Sequence, residues 1–136
     1  MYSYDFKKRV RYAETDRMGY LYYGHYAKYY EIGRVESLRA LGTTYKIMED
    51  KYHVMLPVVH LESRYLASAY YDEEIIIRSI LKDIPGKMMI FDHELINQDN
   101  VIINKARIKL FFIDMKSGNR VSAPDFLIER LEEYFQ

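Results

Sequence analysis

Residues 10–42 read VRYAETDRMGYLYYGHYAKYYEIGRVESLRALG, and they divide into an irregular part and a periodic part. The first, residues 13–24, has two glycines and no hydrophobic period, which predicts a loop. The second predicts a long helix over residues 25–41, ended by Gly42 at the C′ position. One side of this helix carries Tyr26, Tyr29, Tyr30, Gly33, Ser37, Ala40 and Leu41. The small residues among them predict a close approach of the helix axis to a sheet.

The rest of the chain reads mainly as strands. Alternation of apolar and charged residues predicts a first strand over residues 4–12. Four further segments are rich in β-branched and aromatic residues, namely 56–66, 74–82, 87–96 and 101–114. A short helix is predicted at 45–50, opened by Thr43 or Thr44, and another after a cap at Ser122. One long helix must then cover an antiparallel sheet of about five strands, so the predicted fold class is α+β.

Composition limits the classes of function. A chain of 136 residues predicts a single domain over residues 1–136. Its 20 basic and 20 acidic residues give no net charge, which disfavours nucleic acid as a partner. The absence of cysteine excludes thiolate catalysis and is compatible with the cytoplasmic location that we expect. No stretch approaches the roughly 20 apolar residues of a membrane span.

Common catalytic and cofactor motifs are absent. There is no G-x-S-x-G nucleophile elbow, no glycine-rich phosphate loop and no dinucleotide fingerprint. The four histidines, His25, His53, His60 and His93, do not have metal-ligand spacing. We therefore expect neither a metal nor a cofactor.

Asp16 is the candidate catalytic residue. It follows the first predicted strand and shortly precedes the long helix, whose N-terminus presents free amide groups and a partial positive charge. Such amides could stabilise an oxyanion while the carboxylate acts as a base or nucleophile. The plainer interpretation is that Asp16 closes a turn with Gly19, because aspartate three residues before glycine is common in turns.

The segment resembles the signature of the hotdog-fold acyl-CoA thioesterases, in the 4-hydroxybenzoyl-CoA thioesterase and YbgC-like family. The matching residues are Tyr12, Thr15, Asp16, Gly19, Leu21, Tyr22, Tyr23, Tyr26, Tyr30, Glu31 and Arg34. Residues 58–75 resemble the second motif of the family. The resemblance implies a hotdog fold, in which the sheet wraps around the long helix and continues into the sheet of a second subunit.

The resemblance also implies an activity and a site. It implies hydrolysis of an acyl-CoA or acyl-carrier-protein (acyl-ACP) thioester, without a cofactor, by a homodimer or tetramer. Asp16 would be the base or nucleophile, and the backbone N–H near Tyr23 would polarise the thioester oxygen. The implied substrate-binding residues are Gly19, Tyr22, Gly24, His25, Tyr26, Arg64, Tyr65 and Leu66. Family sites form between subunits, so a partner's strand around residues 64–67 would line the pocket.

Two positions depart from the family pattern, and two other functions stay open. Tyr23 stands where many members have histidine, with His25 two positions later, and Ser68 replaces a proline. A hydratase or dehydratase would need His25 to converge with Asp16. A non-catalytic module would bind acyl thioesters without cleaving them. In the long helix, the spacing of Glu31 and Arg34 predicts a local ion pair.

Overall fold

The computed structural model describes residues 1–136 as strands, helices and short connecting turns. The strands are β1 (Tyr2–Arg9), β2 (Val54–Met55), β3 (Val58–Tyr65), β4 (Glu74–Leu81), β5 (Met88–Ile96), β6 (Ile102–Asp114) and β7 (Arg120–Val121). The α-helices are α1 (Tyr26–Ala40), α2 (Tyr45–Tyr52) and α3 (Asp125–Glu132). None of these helices combines the length and the apolar character that a membrane crossing requires.

The sheet is antiparallel throughout and is built on five long strands. Their order is β1-β4-β5-β6-β3, and the two-residue strands β2 and β7 pair with the far end of β6. Strands β1, β4, β5 and β6 alternate between buried and more exposed residues, so one of their faces lies on the core, whereas the edge strand β3 is exposed along nearly its whole length. This arrangement confirms the predicted α+β class and the sheet of about five strands.

Helix α1 crosses the inner face of the sheet and fixes where the chain before it lies. Tyr29, Tyr30 and Leu38 are fully buried beneath it. Gly33 makes the closest approach, because a Cβ atom there would lie 2.6 Å from both Ile77 Cγ2 and Ser79 Oγ. The small residues predicted for this contact are therefore confirmed at Gly33 and Ser37, which are buried. Ala40 is exposed instead. At the C-terminal end of α1 the buried residues are Leu38 and Leu41.

Replacing Gly33 by alanine is expected to destabilise the fold by about 1–3 kcal/mol, because the methyl group would force α1 away from the sheet. Chemical denaturation measures this change. Gly86→Ala is the matched control, since a Cβ atom at Gly86 meets nothing within 4 Å. Equal stability of the two variants would contradict the close packing of α1 on β4.

The first strand is shorter than predicted. It ends at Arg9, and Tyr12 lies in a 3₁₀ turn with its side chain 80% exposed. The cause is local, because the Arg11 N–H donates to the Glu14 carboxylate (2.9 Å) and so starts the turn. Ser122 is also not a helix cap, since α3 begins at Asp125 directly after a proline. The cap at Thr44 is confirmed, as its side chain accepts the Ile47 N–H at 3.1 Å.

The predicted ion pair between Glu31 and Arg34 is wrong. Glu31 is exposed, whereas Arg34 is buried and its Nε donates to the Tyr45 hydroxyl at 3.3 Å. Arg34 therefore joins α1 to α2. The i,i+3 spacing suggested a local partner for Arg34, but the partner it meets lies 11 positions away on α2.

Candidate active site

A cleft of about 430 Å³ lies between the loop before α1 and the chain that follows β3. Its lining residues are Asp16, Tyr20, Leu21, Tyr23, Tyr26, Tyr65, Leu66, Ala67 and Ser68. Asp16 is the one ionisable carboxylate among them, and most of the other walls are aromatic or apolar. The cleft therefore combines an apolar surface with a single acidic group, as a binding site for an uncharged organic group requires.

Asp16 both closes a turn and faces the cleft. Its Oδ1 atom accepts the backbone N–H groups of Met18 (2.9 Å) and Tyr20 (3.1 Å), and its carbonyl accepts the Gly19 N–H at 3.1 Å. Gly19 has a φ of +83°, which favours glycine at this position. The second carboxylate oxygen, Oδ2, has no hydrogen bond within the chain. The turn therefore holds the carboxylate in place and leaves one oxygen available for chemistry.

Free backbone amides lie at the start of the helical segment. A 3₁₀ turn, Tyr23–His25, leads directly into α1. The first hydrogen bonds of this segment run from the His25 N–H to the Tyr22 carbonyl and from the Tyr26 N–H to the Tyr23 carbonyl. The N–H groups of Tyr23 and Gly24 therefore have no acceptor in the chain. They are candidate donors to a substrate oxygen in the cleft that Tyr23 lines.

Two tyrosines that line the cleft with Asp16 pack against each other. The Tyr65 hydroxyl donates to the Tyr23 carbonyl at 3.3 Å, and the Tyr65 ring meets the Tyr26 ring edge-on with centroids 4.9 Å apart. Burial is the main effect on the pKa of Tyr26 and raises it. A hydrogen-bonding contact with the Ala69 backbone lowers this pKa, whereas the nearby Tyr65 and Asp16 side chains raise it further. Tyr26 therefore keeps its proton. Residues 65–68 of the same chain line this part of the cleft. The contribution of a partner's residues 64–67, which the resemblance implied, stays a prediction.

Five predicted site residues do not line the cleft, and one of them, Arg64, lies on the other face of the sheet. Adjacent residues of a strand point to opposite faces, so Tyr65 faces the cleft while Arg64 faces the outer side of the sheet. There it lines a separate depression with Glu62, Ser63, Asp92, Lys105, Ala106 and Arg107. The alternation of β3 could have shown this from the sequence.

The other four, Gly19, Tyr22, Gly24 and His25, surround the cleft without lining it. His25 is half-buried, and its ring packs edge-on against Tyr22 at 5.8 Å between centroids. A Cβ atom at Gly24 would lie 2.6 Å from Tyr22 Cε2, so Gly24 leaves room for that ring. These residues shape the entrance to α1, and the histidine does not meet Asp16 in the cleft.

Comparison with known proteins identifies the family. A family model described as "Thioesterase-like superfamily" matches residues 10–131. The chain belongs to this superfamily.

The relatives and solved structures agree with that assignment. The Bacillus subtilis protein named "Putative acyl-CoA thioesterase YneP" is 32% identical over 108 residues, covering 79% of this chain and 78% of the relative. The Haemophilus influenzae acyl-CoA thioesterase YbgC is 25% identical over 122 residues, covering 90% and 89%. A DHNA-CoA thioesterase structure from Staphylococcus aureus has a TM-score of 0.86 at 24% identity, covering 100% of this chain and 97% of that one. That likeness shows the hotdog fold, as the resemblance implied.

Glu14 supports the site of this superfamily member, and the sequence did not single it out. Its carboxylate is buried and accepts hydrogen bonds from Lys8 (3.0 Å), Tyr29 (2.8 Å) and Lys28 (3.1 Å), besides the Arg11 amide. Its backbone carbonyl accepts the Tyr22 N–H at 3.0 Å. Glu14 therefore ties β1 and α1 to both ends of the loop that carries Asp16.

The same contacts keep Glu14 ionised. Burial by itself would raise the pKa of Glu14, but the hydrogen bonds from Arg11, Lys8, Tyr29 and Lys28 outweigh it and lower that pKa to about 2. The signal in the sequence was weak, since Glu14 is one acid after a basic run. Its partners on α1 are 14 and 15 positions away.

His93 is buried beneath α1 and does not take part in the cleft. Its ring stacks on Tyr30 (4.7 Å between centroids) and Phe91 (5.4 Å). Burial first and the Arg34 charge second lower the pKa of His93 to about 3, so the ring is neutral at physiological pH. No group of three His, Asp or Glu side chains is placed to hold a metal ion.

Proposed function

We propose that this protein hydrolyses an acyl-CoA thioester to a free acid and coenzyme A. One observation carries the proposal: Asp16 presents an unoccupied carboxylate oxygen to an aromatic cleft that also contains Tyr23, whose backbone N–H is free. The relatives from B. subtilis and H. influenzae, both named as acyl-CoA thioesterases, support the thioester as the substrate class.

In this mechanism each group has one role. The acyl group binds against Tyr26, Tyr65 and Leu66, and the Tyr23 N–H donates to the thioester oxygen as negative charge develops on it. Asp16 acts on the carbonyl carbon in one of two ways. It either removes a proton from the attacking water or attacks directly to form an anhydride that water then opens. In both cases the C–S bond breaks, and the thiolate leaves and takes up a proton.

The proposal extends to the substrate carrier, the assembly and the location. A thioester of an acyl carrier protein (acyl-ACP) is an alternative substrate, because it presents the same reacting bond. The outer edge of β3 has no pairing strand, and we propose that it joins two chains into a homodimer, which in turn can form a tetramer. A cytoplasmic location is the corresponding expectation for a chain without cysteine.

The rival functions have less support. A hydratase or dehydratase would need His25 beside Asp16, but His25 does not line the cleft. A binding module would retain the acyl thioester intact, and its aromatic cleft would look similar. Asp16 argues against that rival, because an uncharged acyl group gains nothing from a half-buried carboxyl group beside it.

The proposal is tested by following thiol release from a panel of short, long and aromatic acyl-CoAs and from an acyl-ACP. We expect at least one acyl-CoA to yield one free thiol and one free acid for each thioester consumed. Recovery of every thioester intact, with acyl-CoA retained in native mass spectrometry, would favour the binding module. Loss of enoyl-thioester absorbance without thiol release would favour the hydratase.

A further inference from the structure

Two hydrogen bonds end on the Tyr23 carbonyl oxygen. The Tyr26 N–H donates to it within the turn that opens α1, and the Tyr65 hydroxyl donates to it from the end of β3 at 3.3 Å. This carbonyl and the Gly24 N–H belong to one planar peptide group. The Tyr65 side chain therefore contacts the group that presents one of the two free amides beside the cleft.

The other free amide is held by backbone bonds alone. The Tyr23 N–H shares its peptide group with the Tyr22 carbonyl, which accepts the His25 N–H at 2.9 Å. The Tyr22 N–H in turn donates to the Glu14 carbonyl at 3.0 Å. Among the bonds that fix these two peptide groups, the bond from Tyr65 is the one made by a side chain.

The sheet fixes the position of Tyr65 at the end of β3. The N–H groups of the next two residues, Leu66 and Ala67, both donate to the Ile103 carbonyl on β6, at 2.9 and 3.1 Å. The Tyr65 ring packs edge-on against the Tyr26 ring, with centroids 4.9 Å apart. The hydroxyl bond therefore connects the sheet to the start of α1 at the point where the free amides lie.

We propose that the Tyr65 hydroxyl positions the amide groups that stabilise the oxyanion in the proposed hydrolysis. Its bond fixes the plane of the peptide group between Tyr23 and Gly24, so that the Gly24 N–H joins the Tyr23 N–H as a second donor to the substrate oxygen. Successive backbone N–H groups of this kind form a concave site for a negative charge. This inference rests on the proposed function and adds to it a positioning residue and a second donor.

The same bond makes the Gly24 N–H a stronger donor. A hydrogen bond to the carbonyl oxygen draws electron density across the peptide group, and hydrogen bonds linked in this way strengthen one another. The gain is largest when the substrate oxygen carries negative charge in the transition state, and it is small while that oxygen is a neutral carbonyl. We therefore expect Tyr65 to act on kcat and hardly on KM.

Tyr65→Phe tests this role, because it removes the hydroxyl and keeps the ring that packs on Tyr26. The kcat for acyl-CoA hydrolysis is expected to fall about 3–10-fold, the effect of one neutral hydrogen bond, with KM nearly unchanged. The melting temperature should stay at the wild-type value, since the side chain is 52% exposed. Steady-state and single-turnover thiol release measure the kinetic change.

Tyr71→Phe is the matched control. Tyr71 is 53% exposed and also meets a neighbouring ring edge-on, that of Tyr12 at 5.7 Å between centroids, but it does not line the cleft. This variant is expected to keep the wild-type kcat and KM. An equal loss of kcat in both variants would overturn the role assigned to the Tyr65 hydroxyl.

Amide NMR of the free protein gives a measurement that does not depend on activity. Loss of the bond to the Tyr23 carbonyl is expected to shift the Gly24 nitrogen resonance upfield in Tyr65→Phe, because less electron density is drawn from that nitrogen. The aromatic ring is retained, so its own effect on the resonance stays the same. Tyr71→Phe should leave the Gly24 resonance in place. An unmoved Gly24 resonance in Tyr65→Phe would overturn the inference.

The outcomes separate this inference from the proposed activity. A wild type that releases thiol, together with a Tyr65→Phe variant of equal kcat, refutes the positioning role alone. A wild type that cleaves no thioester of the panel refutes the proposed function, and the catalytic role of Tyr65 falls with it. A lower kcat at unchanged KM, with a shifted Gly24 resonance, supports both.

Discussion

Asp16→Asn is expected to lower kcat for acyl-CoA hydrolysis by roughly 10²–10⁴-fold, the contribution typical of a positioned base. The change is conservative in structure, because the asparagine Oδ1 can still accept the Met18 and Tyr20 N–H groups that hold the turn. What it removes is the basic and nucleophilic character of the second oxygen. Steady-state thiol release on the best substrate of the panel measures the loss.

Two further variants separate chemistry from folding. Asp16→Ala removes the turn acceptor as well as the base, so it is expected to lower the melting temperature, while Asp16→Asn leaves it nearly unchanged. Glu31→Gln removes an exposed carboxylate on α1 and serves as the control with normal activity. Wild-type kcat in the Asp16→Asn variant would refute the assigned role.

Glu14→Gln is expected to lower the free energy of unfolding at pH 7 by about 3 kcal/mol, since removal of one member of a buried ion pair leaves its partners uncompensated. The partner most affected is Lys8, whose side chain is only 15% exposed and contacts Glu14 Oε1 at 3.0 Å. Lys28, at 3.1 Å from Oε2, is 55% exposed and stays in contact with solvent. Urea denaturation measures the change, with Glu31→Gln again as the control. An unchanged midpoint would contradict the role of Glu14 as the support of the loop.

The same carboxylate predicts a pH dependence of stability. The pKa of Glu14 is about 2 in the folded protein against an ordinary value of 4.5. Its contribution is therefore fully present above about pH 4.5 and is lost as the pH falls from 4.5 toward 2. The wild type should lose stability over this interval more steeply than Glu14→Gln. Parallel pH profiles for the two proteins would contradict the lowered pKa.

Hydrophobic periodicity predicted most helices and strands of this fold, because these segments are determined by the residue pattern within them and by the turn-forming residues at their ends. Helix α1 was predicted to within a residue at each end, and Gly42 indeed has a φ of +88° directly after it. The long strands were found at nearly their observed bounds. Errors occurred where a side chain from another position intervened, as when the Glu14 carboxylate accepted the Arg11 amide and ended β1 early.

The candidate site was predicted in part, and the missing parts are long-range. Asp16 was found from its motif. The structure adds that the same carboxylate closes the turn through Oδ1 and also lines the cleft. Glu14 was missed because its partners on α1 are brought near it only by tertiary packing. Arg34 was paired with Glu31 because a sequence does not show that Tyr45 lies beside it.

A crystal structure with a non-hydrolysable acyl-CoA analogue tests the central claim most directly. We expect the oxygen that replaces the thioester carbonyl to lie about 2.7–3.1 Å from the Tyr23 backbone nitrogen. The reacting carbon should face Asp16 Oδ2, with the acyl group against Tyr26 and Tyr65. An analogue bound elsewhere, with the cleft beside Asp16 empty, would contradict the account.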